Sequence, residues 1–342
     1  MPQRRVTLAD VARRAGLSTT AASLVLNKRE GTRLSEDAQQ RVLAAAEELG
    51  YRPNAAARSL RTRKSATVAF VSDTVATTRF AGDMIRGALD AAREQGHVLL
   101  IAETQGNADL EREAIEAMLD RQVDGIVYAA MYSRRLAVPQ EILGRPTVLL
   151  NATSDDPVPS VLPADEQAGH TVATALLDHG HRRIAVIGRT KEKERDPWKS
   201  LAVGPRLRGI RRALADRRLR LVGAESTAEW EPSDGYEAMT SLLGRANPPS
   251  GVICMNDRLA LGAYQAVAEA GLSIPDDVSV VSFDDDPIAT WLRPGLTTAA
   301  LPHEDMGRLA VRLLLDEDPG PGVRWVPMPL QERGSIGAPS SR

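Results

Sequence analysis

TLADVARRAGLSTTAASLVLN, residues 7–27, decides how the front of this chain folds. Leu8, Val11, Ala12 and Ala15 recur at i, i+3, i+4 and i+7, the spacing of a helix with one buried face. Thr7 stands where an N-cap belongs and Asp10 three residues on, the capping-box arrangement, while Gly16 predicts the stop. Ser18 is placed to cap a second helix whose apolar face is Ala22, Val25 and Leu26. The opposite face presents Thr20, Ser23, Leu24 and Asn27. Short side chains let a helix lie close in the major groove, and hydroxyls and an amide meet base-edge donors and acceptors there. Two short helices around a tight glycine turn therefore read as a helix-turn-helix, with double-stranded DNA as partner.

Charge supports that partner. Residues 1–64 carry 13 Lys and Arg against 6 Asp and Glu, whereas the remaining 278 residues carry 30 against 39, so a basic module is joined to an acidic body. A third helix is expected after Ser35, with Glu36 and Asp37 in its first turn, an apolar stripe of Ala38, Val42, Ala45 and Leu49, and Gly50 as its end. Three helices in so short a module bury little, so the module is expected to lean on DNA or on a second copy. Next comes YRPNAAARSLRTRKS, residues 51–65. Pro53 breaks the preceding helix and Asn54 can cap a short run of helix formers, too short to be stable alone, so its folding is expected to be coupled to binding. Leu60, flanked by Arg58, Arg61, Arg63 and Lys64, suits a wedge between base steps, or simple packing in a linker.

TLADVARRAGLSTTAASLVLN followed by LSEDAQQRVLAAAEELGYRPNAAARSL resembles the headpiece and hinge helix of the LacI family of bacterial transcriptional regulators. The resemblance implies DNA contacts by Thr7, Ser18, Thr19, Thr20, Ser23, Asn27, Tyr51 and Asn54, with Ala57 and Arg58 in the hinge and Leu60 intercalating. The chain departs from the family pattern at Ala21, Ala22 and Leu24. Leu24 cannot donate to guanine and offers only an apolar surface, for instance to a thymine methyl.

Residues 66–342 alternate β-type runs with amphipathic helices, predicting a parallel-sheet α/β architecture. The strands read as TVAFV, HVLLIA, GIVYAA, TVLLNA, RIAVIG, GVICMN and VSVVSFD, with helices such as 80–96 and 257–271 between them. The length suggests two lobes, with a ligand cleft at the carboxyl ends of the strands. VDGIVY, HGHRRIAVIG, PRLRG, GVICMNDRLALGAYQAVAEAG, IPDDVSVVSFDDDP and PGLTTAALPHEDMG also resemble the effector domain of that family, whose fold is that of periplasmic sugar-binding proteins. The implied organisation is a headpiece over 1–53, a hinge helix and linker over 54–65, and an effector domain over 66–342. Its first lobe would take about 66–163 and 298–323, and its second about 164–297 and 324–342.

A neutral polyol needs paired hydrogen-bonding groups and a flat apolar face. Asp73, Asn256 and Asp284 close strands and Arg206 opens a helix, all where a cleft would lie, and the resemblance extends effector contact to Asn151, Trp230, Trp291 and His303. The loop RTKEKERDPWKSLAVG, residues 189–204, either shapes the pocket or is a surface loop. An enzyme is the rival class, but G-x-G-x-x-G, phosphate-loop and G-x-S-x-G signatures are missing, and the five histidines lack metal-ligand spacing. No metal or cofactor is expected. The single Cys254 lies in an apolar run, no charged leader precedes an apolar segment, and no apolar run reaches the roughly 18 residues of a membrane span. The expectation is a cytoplasmic repressor on a pseudo-palindromic operator, controlled by a sugar or by a nucleobase-like corepressor. Operator symmetry, and a carboxyl end without leucine heptads, point to a homodimer.

Overall fold

In the computed structural model, which describes residues 6–26, 34–51, 64–75 and 81–340, Thr7 and Asp10 cap the first helix reciprocally. Thr7 N donates to Asp10 Oδ2 at 3.0 Å and Asp10 N donates to Thr7 Oγ1 at 3.3 Å. This helix, α1 (Leu8–Ala15), ends at Gly16 in the left-handed conformation, φ 69°. Ser18 Oγ accepts from Ala21 N at 3.1 Å to start α2 (Thr19–Leu26), and Ser35 Oγ accepts from Ala38 N at 3.3 Å to start α3 (Glu36–Glu48). Val11, Ala12, Ala15, Ala22, Val25, Val42, Ala45 and Ala46 form their common core, with Tyr51 half-buried against it. Most of these side chains are small, so the burial energy is modest.

The chain divides at Ala66/Thr67 into two units. In the second, the strands are β1 (Thr67–Ser72), β2 (Val98–Glu103), β3 (Gly125–Arg135), β4 (Thr147–Thr153), β5 (Ser160–Pro163), β6 (Ile184–Arg189), β7 (Gly223–Ser226), β8 (Gly251–Cys254), β9 (Ser279–Asp284), β10 (Thr297–Ala300), β11 (Val323–Val326) and β12 (Leu330–Gln331). The helices are α4 (Ala81–Glu94), α5 (Ala108–Asp120), α6 (Asp165–Asp178), α7 (Lys191–Arg195), α8 (Val203–Asp216), α9 (Pro232–Leu243), α10 (Asp257–Glu269), α11 (Ile288–Trp291) and α12 (His303–Leu314). They build two sheets, β11-β5-β4-β3-β1-β2 and β12-β10-β9-β8-β6-β7. Among the described residues every strand pairing is parallel except β10 with β12, where Thr298 faces Gln331. Strands such as Gly251–Cys254 are buried along their whole length, as expected where helices cover both faces of a parallel sheet.

All seven strands read from the sequence are present. β5, β7, β10, β11 and β12 were not legible, because stretches such as GAES and TTAA are short and carry little apolar pattern. Their positions correct the lobe boundaries. β10 lies in the second sheet although 298 was expected to open a return to the first lobe, and β11 lies in the first although 324 was expected to begin the second. The chain thus passes between sheets at 164, at 301–302 and at 327–329.

Helices α6 and α8 touch through glycines. A Cβ on Gly169 would stand 2.2 Å from the Arg206 carbonyl oxygen, and one on Gly209 would stand 2.0 Å from that of Glu166. This close crossing sets the first turn of α6 beside the first turn of α8, each of which contributes a charged side chain to the cleft.

Candidate effector cleft and DNA-reading helix

A cavity of about 770 Å³ lies between the two sheets, and Pro163, Asp165, Leu301 and His303, which sit at two of the chain crossings, line it. At its floor Arg206 is 2% exposed. Its Nε donates to Asp165 Oδ1 at 2.7 Å and its Nη1 to the Met255 carbonyl at 2.6 Å, while Nη2 stands 3.8 Å from Asp284 Oδ1. The guanidinium carbon lies 4.3 Å from the centre of the Phe283 ring, so an aromatic face backs the cation. Burial pushes the Asp165 carboxyl up despite Arg206, and pushes Asp284 well above the usual carboxylate range, with Asp257, Asp165 and Asp286 adding to the effect. One cation thus sits between two buried carboxyl groups, an arrangement rich in both donors and acceptors.

Asp284 also has φ 113°, a conformation that costs a non-glycine residue about 1–3 kcal/mol. Its surroundings hold it there. Asp257 accepts from the Thr298 hydroxyl at 2.8 Å, from Asp286 N at 2.7 Å and from the Ser282 hydroxyl, tying α10 to β9, β10 and the turn after Asp284. Burial raises the Asp257 pKa to about 6 against the opposing effect of these hydrogen bonds.

The other cleft residues are fixed by the backbone. Asn256 caps α10 by accepting from Leu259 N at 2.8 Å, and donates through Nδ2 to the Trp230 carbonyl at 3.2 Å. Trp230 Nε1 donates to the Gly188 carbonyl at 2.9 Å, and Lys193 and Arg206 each stand 6.0 Å from its ring centre. Asn151, left-handed at φ 56°, donates to the Ala130 and Met131 carbonyls at 2.9 and 3.2 Å. Of the expected effector residues, Asn151, Arg206, Trp230, Asn256, Asp284 and His303 line the cavity.

Two do not. Asp73 lies behind the wall, where Oδ1 accepts from Met131 N at 3.0 Å and Oδ2 pairs with Arg134 at 2.7 Å, and it is Arg134 that reaches the cavity. Trp291 is 70% exposed on α11, a single turn whose buried residue is Ala289, and is not among the residues that line the cavity. Residues absent from the sequence expectation include Asp165, Arg134, Lys193 and Arg258. Only the 189–204 loop signalled any of them. Of its two readings the structure selects pocket shaping: Lys193, Lys199, Ser200, Ala202 and Val203 line the cavity. The loop also straps the lobes together, since Arg135 N donates to the Pro197 carbonyl at 2.7 Å and Leu201 N to the Ser133 carbonyl at 2.8 Å.

His303 is 7% exposed, and burial, helped by Arg206, lowers its pKa from 6.5 to about 4. Its neutral form is the native one. A histidine held neutral contributes stability that is complete above the unfolded pKa and is lost as pH falls from about 6.5 toward about 4. Urea unfolding at pH 7.5 and 5.0 should show His303→Gln losing about 2 kcal/mol less than the parent over that interval. Equal losses would mean that His303 takes up its proton as readily in the folded protein as in the unfolded chain.

In the front unit, Ser18, Thr19 and Thr20 are exposed along the start of α2, and Thr7 is exposed at the start of α1. Ser23 and Leu24 are half-buried, and Leu24 stands outside the core cluster that holds Val25. Asn27, Asn54, Ala57, Arg58 and Leu60, with the expected hinge helix, lie outside the described residues. Among the described residues no helix is long and apolar enough to cross a membrane, and no metal-ligand cluster of three or more side chains occurs.

Comparison with known proteins agrees with both units. Residues 7–54 match the family described as bacterial regulatory proteins, lacI family, and residues 173–336 match a periplasmic binding protein-like domain. The ribose operon repressor of Escherichia coli (strain K12) is 32% identical over 339 residues, covering 96% of this chain and 99% of that protein. A LacI-family transcriptional regulator from Rhizobium etli superposes with a TM-score of 0.71 at 32% identity, over 80% of this chain and 100% of its own. A LacI-family regulator from Enterococcus faecium, solved with bound ribose, gives 0.62 at 26% identity, over 80% of this chain and 99% of its own. The chain belongs to the LacI family, and is a DNA-binding transcriptional regulator with a helix-turn-helix region and a periplasmic-binding-protein-like domain.

Proposed function

We propose that this regulator is a cytoplasmic homodimeric repressor whose hold on a pseudo-palindromic operator is set by a small sugar in the cleft. The observation that carries the effector reading is the cavity floor, where Arg206 between Asp165 and Asp284, with Asn256 and Asn151 nearby, offers donors and acceptors beside the Trp230 ring. Vicinal hydroxyls both donate and accept, and a sugar ring has an apolar face to lay on an aromatic one. The cavity volume of about 770 Å³ is in the range of small-ligand sites. The names of the ribose operon repressor and of the ribose-bound relative favour the same class.

On the DNA side, Ser18, Thr19, Thr20, Ser23, Leu24 and Asn27 read the major groove, and Thr7, Tyr51 and Asn54 also contact DNA. Ala57, Arg58 and Leu60 act in the minor groove at the operator centre, where two-fold symmetry brings two hinges together. Effector binding shifts the population between DNA-competent and DNA-incompetent states, and by linkage operator binding changes effector affinity by the same factor.

The test is fluorescence anisotropy of the whole protein on a labelled duplex from its own upstream region, beside a scrambled duplex, at about 0.15 M salt. A preference of about a thousandfold, weakened by a sugar, is the expected result. Strengthening by the ligand would make it a corepressor, and equal weak binding to both duplexes would remove the repressor reading. Leu60→Ala should lower operator affinity at least tenfold and leave effector affinity within twofold; unchanged operator binding would exclude the wedge.

A further inference from the structure

The cleft has two chemically different ends. At the floor much of the polar surface is committed, Arg206 through Nε and Nη1, Asn256 through both ends of its amide and Asn151 through Nδ2, which leaves Arg206 Nη2 and the Asp284 carboxyl, 3.8 Å apart, to meet both donating and accepting hydroxyls. The mouth, where the 189–204 loop meets β3 and the starts of α9 and α10, is different. Ser133 Oγ and Arg258 Nε are buried atoms with no hydrogen-bond partner, and both residues line the cavity. Lys193, half-buried, holds its ammonium over the Trp230 ring.

The other mouth cations are already paired: Arg134 with Asp73 at 2.7 Å, Lys199 with Glu192 at 3.0 Å, and Arg258 through Nη2 with Glu231. Among the described residues lining the cavity, Lys193 is therefore the cation that no carboxylate neutralises within ion-pair distance. Glu229, the remaining acid of the mouth, is exposed, where solvent and salt screen its field. An ammonium, a guanidinium N–H and a hydroxyl without partners make a donor-rich end. A neutral hydroxyl, itself half donor, uses such an end poorly, whereas an anionic oxygen group supplies acceptors alone.

We propose that the effector is a sugar bearing an anionic group, a phosphate or a carboxylate, with its hydroxyls toward Arg206 and Asp284 and its anionic group at Lys193, Arg258 and Ser133. This deepens the sugar-effector reading and rests on it. It also gives the 189–204 loop a role, because the loop that straps the two lobes brings the recognising cation with it.

Isothermal titration of the full-length protein with matched probes tests it: D-ribose beside D-ribose 5-phosphate, and D-glucose beside D-glucose 6-phosphate and D-glucuronate. At least one anionic member should bind ten or more times tighter than its neutral counterpart. Which of glucose 6-phosphate and glucuronate gains more tells phosphate from carboxylate. In Lys193→Met the ratio should fall below threefold, and in Lys193→Glu the neutral sugar should become the tighter ligand. A neutral sugar binding as tightly as its anionic partners, or a preference that survives both substitutions, overturns the anionic class while leaving the sugar reading in place. Failure of every probe, neutral and anionic, to bind removes both readings together.

Discussion

Arg206→Met is expected to destabilise the effector domain by about 3–5 kcal/mol and to abolish the response to effector. Methionine keeps an unbranched apolar stem but lacks the guanidinium, so what the substitution chiefly removes is the charge and its hydrogen bonds. Arg206 is the cation facing Asp165 at 2.7 Å and Asp284 at 3.8 Å, and it also donates to the Met255 carbonyl. Without it two buried carboxyl groups lose their countercharge, and breaking a buried pair costs more than the pair itself contributes.

The pH dependence distinguishes this cause from loss of packing. A carboxyl whose folded pKa is raised holds a proton that the unfolded chain has released, so its cost is absent below the unfolded value near 4 and grows as pH rises through the folded pKa. Burial already raises Asp165 and Asp284, and removing Arg206 takes away the influence that lowers both. The deficit of Arg206→Met should therefore be larger at pH 8 than at pH 5, as urea unfolding of variant and parent at each pH would reveal. Arg206→Lys should restore part of the stability but less of the effector affinity, because an ammonium lacks the fork that meets Asp165 and Met255 together. A deficit independent of pH, or one below about 1 kcal/mol, would assign Arg206 a packing role only.

The second large effect is expected from the addition of one methyl group. Gly169 is in the interior of α6, where helix propensity alone would favour alanine by about 1 kcal/mol. A Cβ there would meet the Arg206 carbonyl oxygen at 2.2 Å and its carbonyl carbon at 2.9 Å. Backbone atoms of a packed helix cannot turn aside as a side-chain end can, so α6 and α8 must separate. Gly169→Ala should lose about 3 kcal/mol despite its better propensity. It should also weaken effector binding, since the displaced backbone carries Arg206 away from Asp165. Gly209→Ala should behave alike, and the double variant should cost less than the sum, because one displacement relieves both clashes. Gly82→Ala in α4, where nothing among the described residues lies within 4 Å of the added carbon, is the control and should be neutral or slightly stabilising. Thermal and urea unfolding separate these outcomes, and a Gly169→Ala protein as stable as the parent would refute the close crossing.

Much of the cleft was legible because the signals are local. Asn256 was readable as a residue between an apolar strand and an amphipathic helix, which is where it caps α10, and Asp284 as the end of β9. Arg206 opened a helix whose apolar period was clear. Asp165 had no comparable signal: its meaning comes from Arg206, 41 residues away, and from the glycine crossing that brings the two together. Trp291 shows the converse. Residue type and a place after a strand end suggested a stacking surface, but a four-residue helix directs the ring to solvent.

By itself the sequence determined the caps and faces of the front helices, the α/β alternation, the seven strongly apolar strands, and most residues at strand ends facing the cleft. These follow from periodicity and from capping chemistry within a few residues. Tertiary structure alone decided which sheet β10 and β11 join, that the 189–204 loop straps the lobes, that Asp73 pairs with the cavity-lining Arg134, and that Asp165 shares Arg206 with Asp284. The physical reason is that an apolar period states which face of an element is buried but not what it is buried against. That choice is made by long-range packing, where the chain passes between the lobes at 164, 301–302 and 327–329.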